Sequence, residues 1–213
     1  MKITPVKTPL AAKKMFPNYI WDIPSTTKEL YLTFDDGPTP EITNWTLDIL
    51  KQYNAKATFF CIGANIEKHP IIFQNIVNDG HAIGNHTQHH VKGWKTKTKA
   101  YITEVLEAEE QIELQQSKRS YLFRPPYGQI KPKQGKKLMA LDYKIIMWDV
   151  LSFDWQKEVS GKDCLNNVIS KSKEGSIIVF HDSLKASKNM MYALPKVLEY
   201  FSEAGYKFKS LSY

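Results

Sequence analysis

The sequence lacks several features that mark special classes of protein. Only two of its 213 residues are cysteines, Cys61 and Cys164, and they show no paired spacing. Cys61 lies in the apolar run 57–62, so we expect it to be buried as a small hydrophobic side chain. No low-complexity segment or internal repeat interrupts the chain. These absences favour an ordinary globular fold without a cysteine motif.

Long hydrophobic runs are also missing, so the sequence predicts no transmembrane span. Residues 1–14 are basic but lack the apolar stretch of a secretion signal. As written, the chain is expected to be soluble. The compartment stays open: periplasmic or extracellular if a leader has been removed, and cytoplasmic otherwise.

The composition is 42% hydrophobic and 24% charged, which excludes a disordered or collagen-like chain. A length of 213 residues suits a single domain. We expect one domain over residues 1–213, with an N-terminal extension at 1–27, a catalytic core at 28–213 and a monomeric state.

The formal net charge of +7 makes an acidic glycan, a membrane surface or nucleic acid conceivable as a partner. The basic residues are scattered, however, and the two local lysine clusters, within residues 92–99 and 131–137, are expected to be solvated faces. Nucleic-acid binding is therefore not expected.

Strand-like apolar runs alternate with helical patterns, which favours an α/β fold. The strand candidates are residues 30–34, 57–62, 82–85, 121–124, 145–149, 177–181 and 208–211. With about seven parallel strands, the sheet is expected to close into a distorted (β/α) barrel rather than to stay open.

Helices are predicted between these strands. Ile42, Trp45, Ile49 and Tyr53 recur at spacings of three and four and form one apolar stripe, with Thr39 and Pro40 as cap and first turn. Further helices are expected at residues 66–78, stopped by Gly80, and at 101–114, 163–173 and 192–204.

Reactive side chains follow the carboxyl ends of the predicted strands. In parallel α/β folds these ends form one rim, where sites are built. The residues expected on this rim are Asp35, Asp36, His86, Arg124, Asp149, Asp154 and His181.

Asp35 and Asp36 are adjacent carboxylates at a strand end, before the chain-turning Gly37-Pro38. Because neighbouring residues project differently, one carboxylate can bind a cation while the other stays free for proton transfer. The alternative is a solvated Asp-Gly turn.

A group of histidines, His86, His89 and His90, follows the third predicted strand. If this segment starts a helix, His86 and His90 lie one turn apart on one face and can chelate one metal, and His89 is also within reach. Two imidazoles and one carboxylate leave coordination positions open, which suits a catalytic divalent ion. The alternative is ordinary surface or core histidines.

Arg124 precedes Pro125-Pro126, which fix an extended backbone, and an arginine there can clamp a carboxylate or lie on the surface. Asp149 and Asp154 are flanked by tryptophans that form either a wall for stacking sugars or part of the core. For Trp148 we expect the core.

His181 ends a fully apolar strand. A titratable histidine at this position can serve as a general acid, or it can be structural.

In their order and spacing, these five motifs resemble the polysaccharide deacetylase family, the family-four carbohydrate esterases, from about Leu30 to the carboxyl end. The resemblance implies a distorted (β/α) barrel, a bound zinc-like ion and hydrolysis of N-acetyl groups on chitin-like or peptidoglycan sugars. By motif match, Asp35 would be the base and Asp36, His86 and His90 the metal ligands. Zinc is expected, with cobalt, nickel or manganese as alternatives.

The same resemblance implies roles for the remaining motifs. Arg124 would hold Asp35, and Asp154 would orient His181 as the acid. The backbone N–H of Tyr127 would face the oxyanion.

Two positions depart from the family's pattern. Members often carry an acid where this chain has Leu151 and a leucine where it has Val179. Neither departure removes a ligand, but Val179 implies a different pocket for the acetyl methyl group. Tyr127, Trp155 and Val179 are the expected substrate contacts.

Three other functions stay open from the sequence: an O-acetyl esterase acting on xylan-like polymers, a deacylase for a small amide, and a non-catalytic barrel that binds sugar. The expected partner in the first and third cases is again a carbohydrate polymer or oligomer.

Overall fold

A computed structural model describes residues 5–212, and its centre is a sheet of eight strands in which every strand pairing is parallel. Of the expected N-terminal extension, residues 1–4 lie outside the described part, as does residue 213. The strands are β1 (Glu29–Asp35), β2 (Ala57–Cys61), β3 (Ala82–Asn85), β4 (Leu122–Phe123), β5 (Lys144–Ile145), β6 (Val150–Leu151), β7 (Ile177–His181) and β8 (Lys207–Phe208).

The strand order, β5-β4-β3-β2-β1-β7-β6 with β8 also beside β1, puts β5 and β6 at opposite edges of the sheet. Only residues 146–149 connect these two strands, a stretch that spans at most about 18 Å between its flanking Cα atoms. The sheet must therefore curl until its edges approach each other. The expected distorted barrel is confirmed.

The N-terminal segment lies across the opening between the two edges. Ile20 forms a parallel bridge to Ile146, and Lys7 forms an antiparallel bridge to Val150.

The central strands are apolar along their length because helices cover one face and the barrel interior the other. All five residues of β2 are buried. The rings of Phe34 and Phe59 stack with centroids 5.0 Å apart, and Phe180 packs 6.1 Å from Phe34 on the other side. These rings lie in the main core, between the sheet and its helices.

Eight α-helices occur in residues 5–212: α1 (Leu10–Met15), α2 (Ile42–Gln52), α3 (Gly63–Lys68), α4 (Pro70–Asn78), α5 (Thr98–Gln116), α6 (Pro132–Met139), α7 (Gly161–Ile169) and α8 (Ser187–Glu203). Among these residues, none of the helices is both long and apolar enough to cross a membrane.

The helix predictions need three corrections. The predicted helix 66–78 is two helices, because Pro70 disfavours helical backbone at His69, which has φ −131°. Thr39 and Pro40 are not the cap and first turn of helix α2. The helix begins after Glu41, because the φ of 64° at Glu41 is not helical. Helices α1 and α6 were not predicted from the sequence, since α1 has only six residues and buries none of them, and the lysine-rich α6 has only one apolar turn.

The predicted strand 145–149 is wrong beyond its first residue, because the chain there crosses from one edge of the sheet to the other. Asp149 consequently lies far from the rim. Its backbone N–H donates to Ile177 O at 2.9 Å, and its carboxylate accepts from Ser176 Oγ at 2.6 Å, at the amino end of β7. The carboxylate of Asp149 also forms ion pairs there with the side chains of Lys7 and Lys13, at 2.9 and 2.6 Å. Asp149 therefore anchors the N-terminal segment.

Candidate active site

The carboxyl ends of the central strands meet around one cleft of about 490 Å³. Asp35 ends β1 and His181 ends β7, while His86 follows β3 and Arg124 follows β4. The parallel order of the strands therefore brings together residues that are up to 146 positions apart in the chain.

Asp36, His86 and His90 converge at one side of the cleft. Asp36 Oδ1 lies 3.3 Å from His90 Nε2 and 3.8 Å from His86 Nε2, and the three ligand atoms all lie within 4.8 Å of one another. Within residues 5–212, the buried Oδ1 of Asp36 has no hydrogen-bond partner. A buried carboxylate oxygen facing two imidazole nitrogens fits a divalent cation.

A loop brings the histidine pair together, and the segment 86–90 does not start the helix considered for it from the sequence. Thr87 and His90 have left-handed backbone, with φ of 65° and 55°. A hydrogen bond of 2.8 Å between His86 Nδ1 and Arg124 O fixes the ring, which turns Nε2 towards Asp36.

His89 faces the other way. Its Nδ1 lies 3.2 Å from Glu104 Oε1, and its backbone N–H donates to Glu104 Oε2 at 2.9 Å. The side chain is 60% exposed, so the structure does not bring it to the trio of Asp36, His86 and His90.

Both histidines of the trio favour the neutral form that a metal requires. Burial lowers the pKa of His86. Burial, together with the positive charge that His86 would carry, lowers the pKa of His90 to about 4. Their lone pairs are therefore free at neutral pH.

Arg124 is completely buried and holds Asp35. Its Nη1 donates to Asp35 Oδ1 and to Thr33 Oγ1, each at 2.7 Å, and its Nη2 donates to Met147 O at 2.9 Å. Burial alone would raise the pKa of Asp35, but the charge and hydrogen bond of Arg124, together with the charge of His181, keep it below its ordinary value. Asp35 is therefore ionised.

His181 is paired with Asp154 on the opposite side. Nδ1 lies 2.8 Å from Asp154 Oδ1, and the backbone N–H of His181 donates to the other carboxylate oxygen at 2.7 Å. Burial would lower the pKa of His181, but the charge and hydrogen bond of Asp154 raise it to about 9. The imidazole is thus a cation at neutral pH and can donate a proton from Nε2.

Aromatic and apolar side chains form the walls of the cleft. Tyr127 is 55% exposed, and its ring centroid lies 4.5 Å from that of His90. Trp155 meets His181 edge-on at 4.7 Å. Val179 also lines the cleft. Trp148, expected in the core, is half-buried: it packs against core residues and also lines the cleft.

Two residues of the site have no role in the predictions from sequence. Thr33 lies two positions before Asp35 in β1, on the same face of the strand, and this alternation could have identified it. Asp182 is completely buried behind the cleft and accepts hydrogen bonds from Gly37 N–H at 3.1 Å and Thr43 Oγ1 at 2.5 Å. Its partners lie 145 and 139 positions away, so no local pattern could have revealed them.

Gly37 itself is required by this packing. A Cβ on Gly37 would lie 2.0 Å from Asp182 Oδ2, so no other residue fits without displacing the carboxylate.

Comparison with known proteins gives a consistent result. The sequence profile described as polysaccharide deacetylase matches residues 22–146. A peptidoglycan-N-acetylglucosamine deacetylase of Bacillus cereus is 38% identical over 194 residues, which cover 91% of this chain and 70% of that protein.

Solved structures agree. The crystal structure of the Bc1960 peptidoglycan N-acetylglucosamine deacetylase with a bound hydroxamate superposes with a TM-score of 0.88 at 36% identity, covering 95% of this chain and 94% of that one. BA3943, described as a family-four carbohydrate esterase pseudoenzyme from Bacillus anthracis, superposes with a TM-score of 0.83 at 25% identity, covering 92% and 68%.

Proposed function

The chain belongs to the polysaccharide deacetylase family, and we therefore propose that it is a metal-dependent enzyme that removes N-acetyl groups from the N-acetylglucosamine units of peptidoglycan. The similarity to peptidoglycan deacetylases supports this substrate. One observation carries the catalytic part of the proposal: an ionised carboxylate, a candidate metal site and a protonated imidazole face one cleft.

Asp36, His86 and His90 would hold the metal, and zinc fits two imidazoles and one carboxylate; cobalt, nickel and manganese are the alternatives. When bound, such an ion lowers the pKa of a coordinated water and polarises a carbonyl oxygen.

Asp35 is the proposed base. Its pKa lies below its ordinary value, so it is ionised and ready to accept the proton of the attacking water. Asp35 Oδ1 accepts the hydrogen bond from Arg124, so Oδ2 is the oxygen that would receive this proton.

His181 is the proposed acid. An amine is a poor leaving group unless its nitrogen is protonated, and the imidazolium of His181 can supply that proton. Asp154 keeps Nδ1 engaged, so Nε2 carries the proton that is transferred.

The remaining contacts are assigned to the substrate. The backbone N–H of Tyr127 is proposed to face the oxyanion, a contact typically worth about 3 to 4 kcal/mol. Val179 would border the acetyl methyl group, while Trp155 and the exposed ring of Tyr127 would flank the sugar.

Acetate release tests this proposal. The chain is incubated with peptidoglycan fragments, chitin oligomers and acetylated xylan, each with and without a chelator. We expect acetate from peptidoglycan, and loss of activity with the chelator. Release from acetylated xylan alone would identify an O-acetyl esterase, and binding of oligosaccharide without release would identify a sugar-binding barrel.

A further inference from the structure

A second groove of about 440 Å³ adjoins the cleft. Trp155, Gln156 and Lys185 line both of them. A glycan bound in the cleft with its acetyl group near His181 can therefore extend a neighbouring group into this side groove.

The side groove carries a net positive charge. Lys157, Lys185 and Lys188 line it together with a single acid, Glu158, and all four side chains are exposed. Within residues 5–212, the side-chain ammonium groups of these three lysines form no ion pair and donate no hydrogen bond. Three free ammonium groups around one concave surface attract an anionic group.

The floor of the side groove is tied to the catalytic acid. Asn189 is 9% exposed, and its Nδ2 donates to Val159 O at 2.8 Å and to Asp154 O at 3.1 Å. Asp154 in turn holds both the ring and the backbone of His181. The position of a ligand in the side groove is therefore fixed relative to His181.

We propose that the side groove binds the carboxylate-bearing substituent of the sugar next to the one that is deacetylated. In peptidoglycan, every second sugar carries a lactyl ether that ends in a carboxylate or in a peptide with carboxylates, whereas chitin is neutral. The side groove thus makes peptidoglycan the preferred substrate. This inference rests on the proposed function, because it concerns the neighbour of the reacting sugar.

The test compares two glycans of equal length, a chitin oligomer and an alternating oligomer with free lactyl carboxylates. Three proteins are used: the wild type, a variant with Lys157→Gln and Lys188→Gln, and a control with Lys136→Gln and Lys137→Gln. The control removes the same charge from exposed positions on α6, which does not line the groove. The quantity compared is kcat/KM on the anionic glycan divided by kcat/KM on chitin.

We expect the groove variant to lower this ratio by about fivefold, as two exposed ion pairs would give, and the control to leave it unchanged. The wild-type ratio should also fall as salt is raised. Equal ratios in the wild type and the groove variant, or equal losses in the groove variant and the control, would overturn the proposal.

Affinity measured with a chelator present separates this proposal from the proposed function. Calorimetric titration of the anionic glycan should show weaker binding to the groove variant than to the control, whether or not acetate is released. Absence of acetate from both glycans would refute the proposed function alone, while equal affinities in the two variants would refute the side groove.

Discussion

Arg124 Nη1 lies 2.7 Å from Asp35 Oδ1, and both side chains are almost completely buried, at 0% and 6% exposure. Arg124→Leu would leave the Asp35 carboxylate in the interior without its counter-charge. We expect a loss of about 3 to 5 kcal/mol in the free energy of unfolding, measured by urea denaturation. Lys118→Gln, at an exposed position, is the control.

Adding Asp35→Asn to Arg124→Leu should recover part of that stability, because the unpaired charge is then gone. If the double variant were no more stable than the single one, loss of packing rather than an uncompensated charge would explain the effect.

Asp35→Asn alone should separate metal binding from turnover. The three candidate ligands are unchanged, so the metal content should stay at the wild-type level. Turnover should fall by about 10²- to 10⁴-fold, because the amide cannot accept a proton. Metal analysis and acetate release are measured on the same sample, and near-normal turnover would rule out Asp35 as the base.

Replacing a candidate ligand should remove metal and activity together. Losing a residue that only hydrogen-bonds to a metal ligand lowers metal affinity by up to about a hundredfold. For Asp36→Ala or His86→Ala, which remove a ligand itself, we expect a larger loss of affinity. His89→Ala is the matched control, since that ring faces Glu104. Loss of metal in the His89 variant would contradict the assigned ligand set.

The basic limb of the activity profile should report His181. Because Asp154 raises the pKa of His181 to about 9, the imidazole stays protonated at neutral pH, and kcat/KM should fall as the pH rises through about 9. In Asp154→Asn the raising charge is gone and burial still lowers the pKa, so the limb should move to lower pH. A limb at the same pH in both proteins would exclude His181 as its source.

Asp182 should make the metal-free protein less stable as the pH rises. Burial raises its pKa from 3.8 to about 8, so between these values the folded state binds more protons than the unfolded state, and this contribution falls with increasing pH. Asp182→Asn imitates the protonated carboxyl. With a chelator present, its Tm relative to the wild type should increase from pH 4 to pH 8.

Asp48→Asn, at an exposed position of α2, serves as the control for the Asp182 variant. A Tm difference between Asp182→Asn and the wild type that does not change with pH would contradict the burial argument.

The α/β class, most of the central strands and the reactive residues could be read from the sequence, because they depend on local patterns. Apolar runs such as that of β7 identify buried strands, and the polar residue that ends each run lies at the same rim in a parallel sheet. The family resemblance added the proposed roles of Asp35, Asp36 and His181. From spacing alone, these residues could equally have been part of a simple turn or of the core.

What only the tertiary structure decided depends on contacts between distant parts of the chain. Partners far away in sequence determine three features. These are the left-handed loop from His86 to His90, the position of Asp149 at the amino end of the sheet, and the burial of the Asp182 carboxyl group. Local periodicity carries no information about such partners. Pairing and burial set these positions, and both arise only when the chain folds into the curled sheet with its surrounding helices.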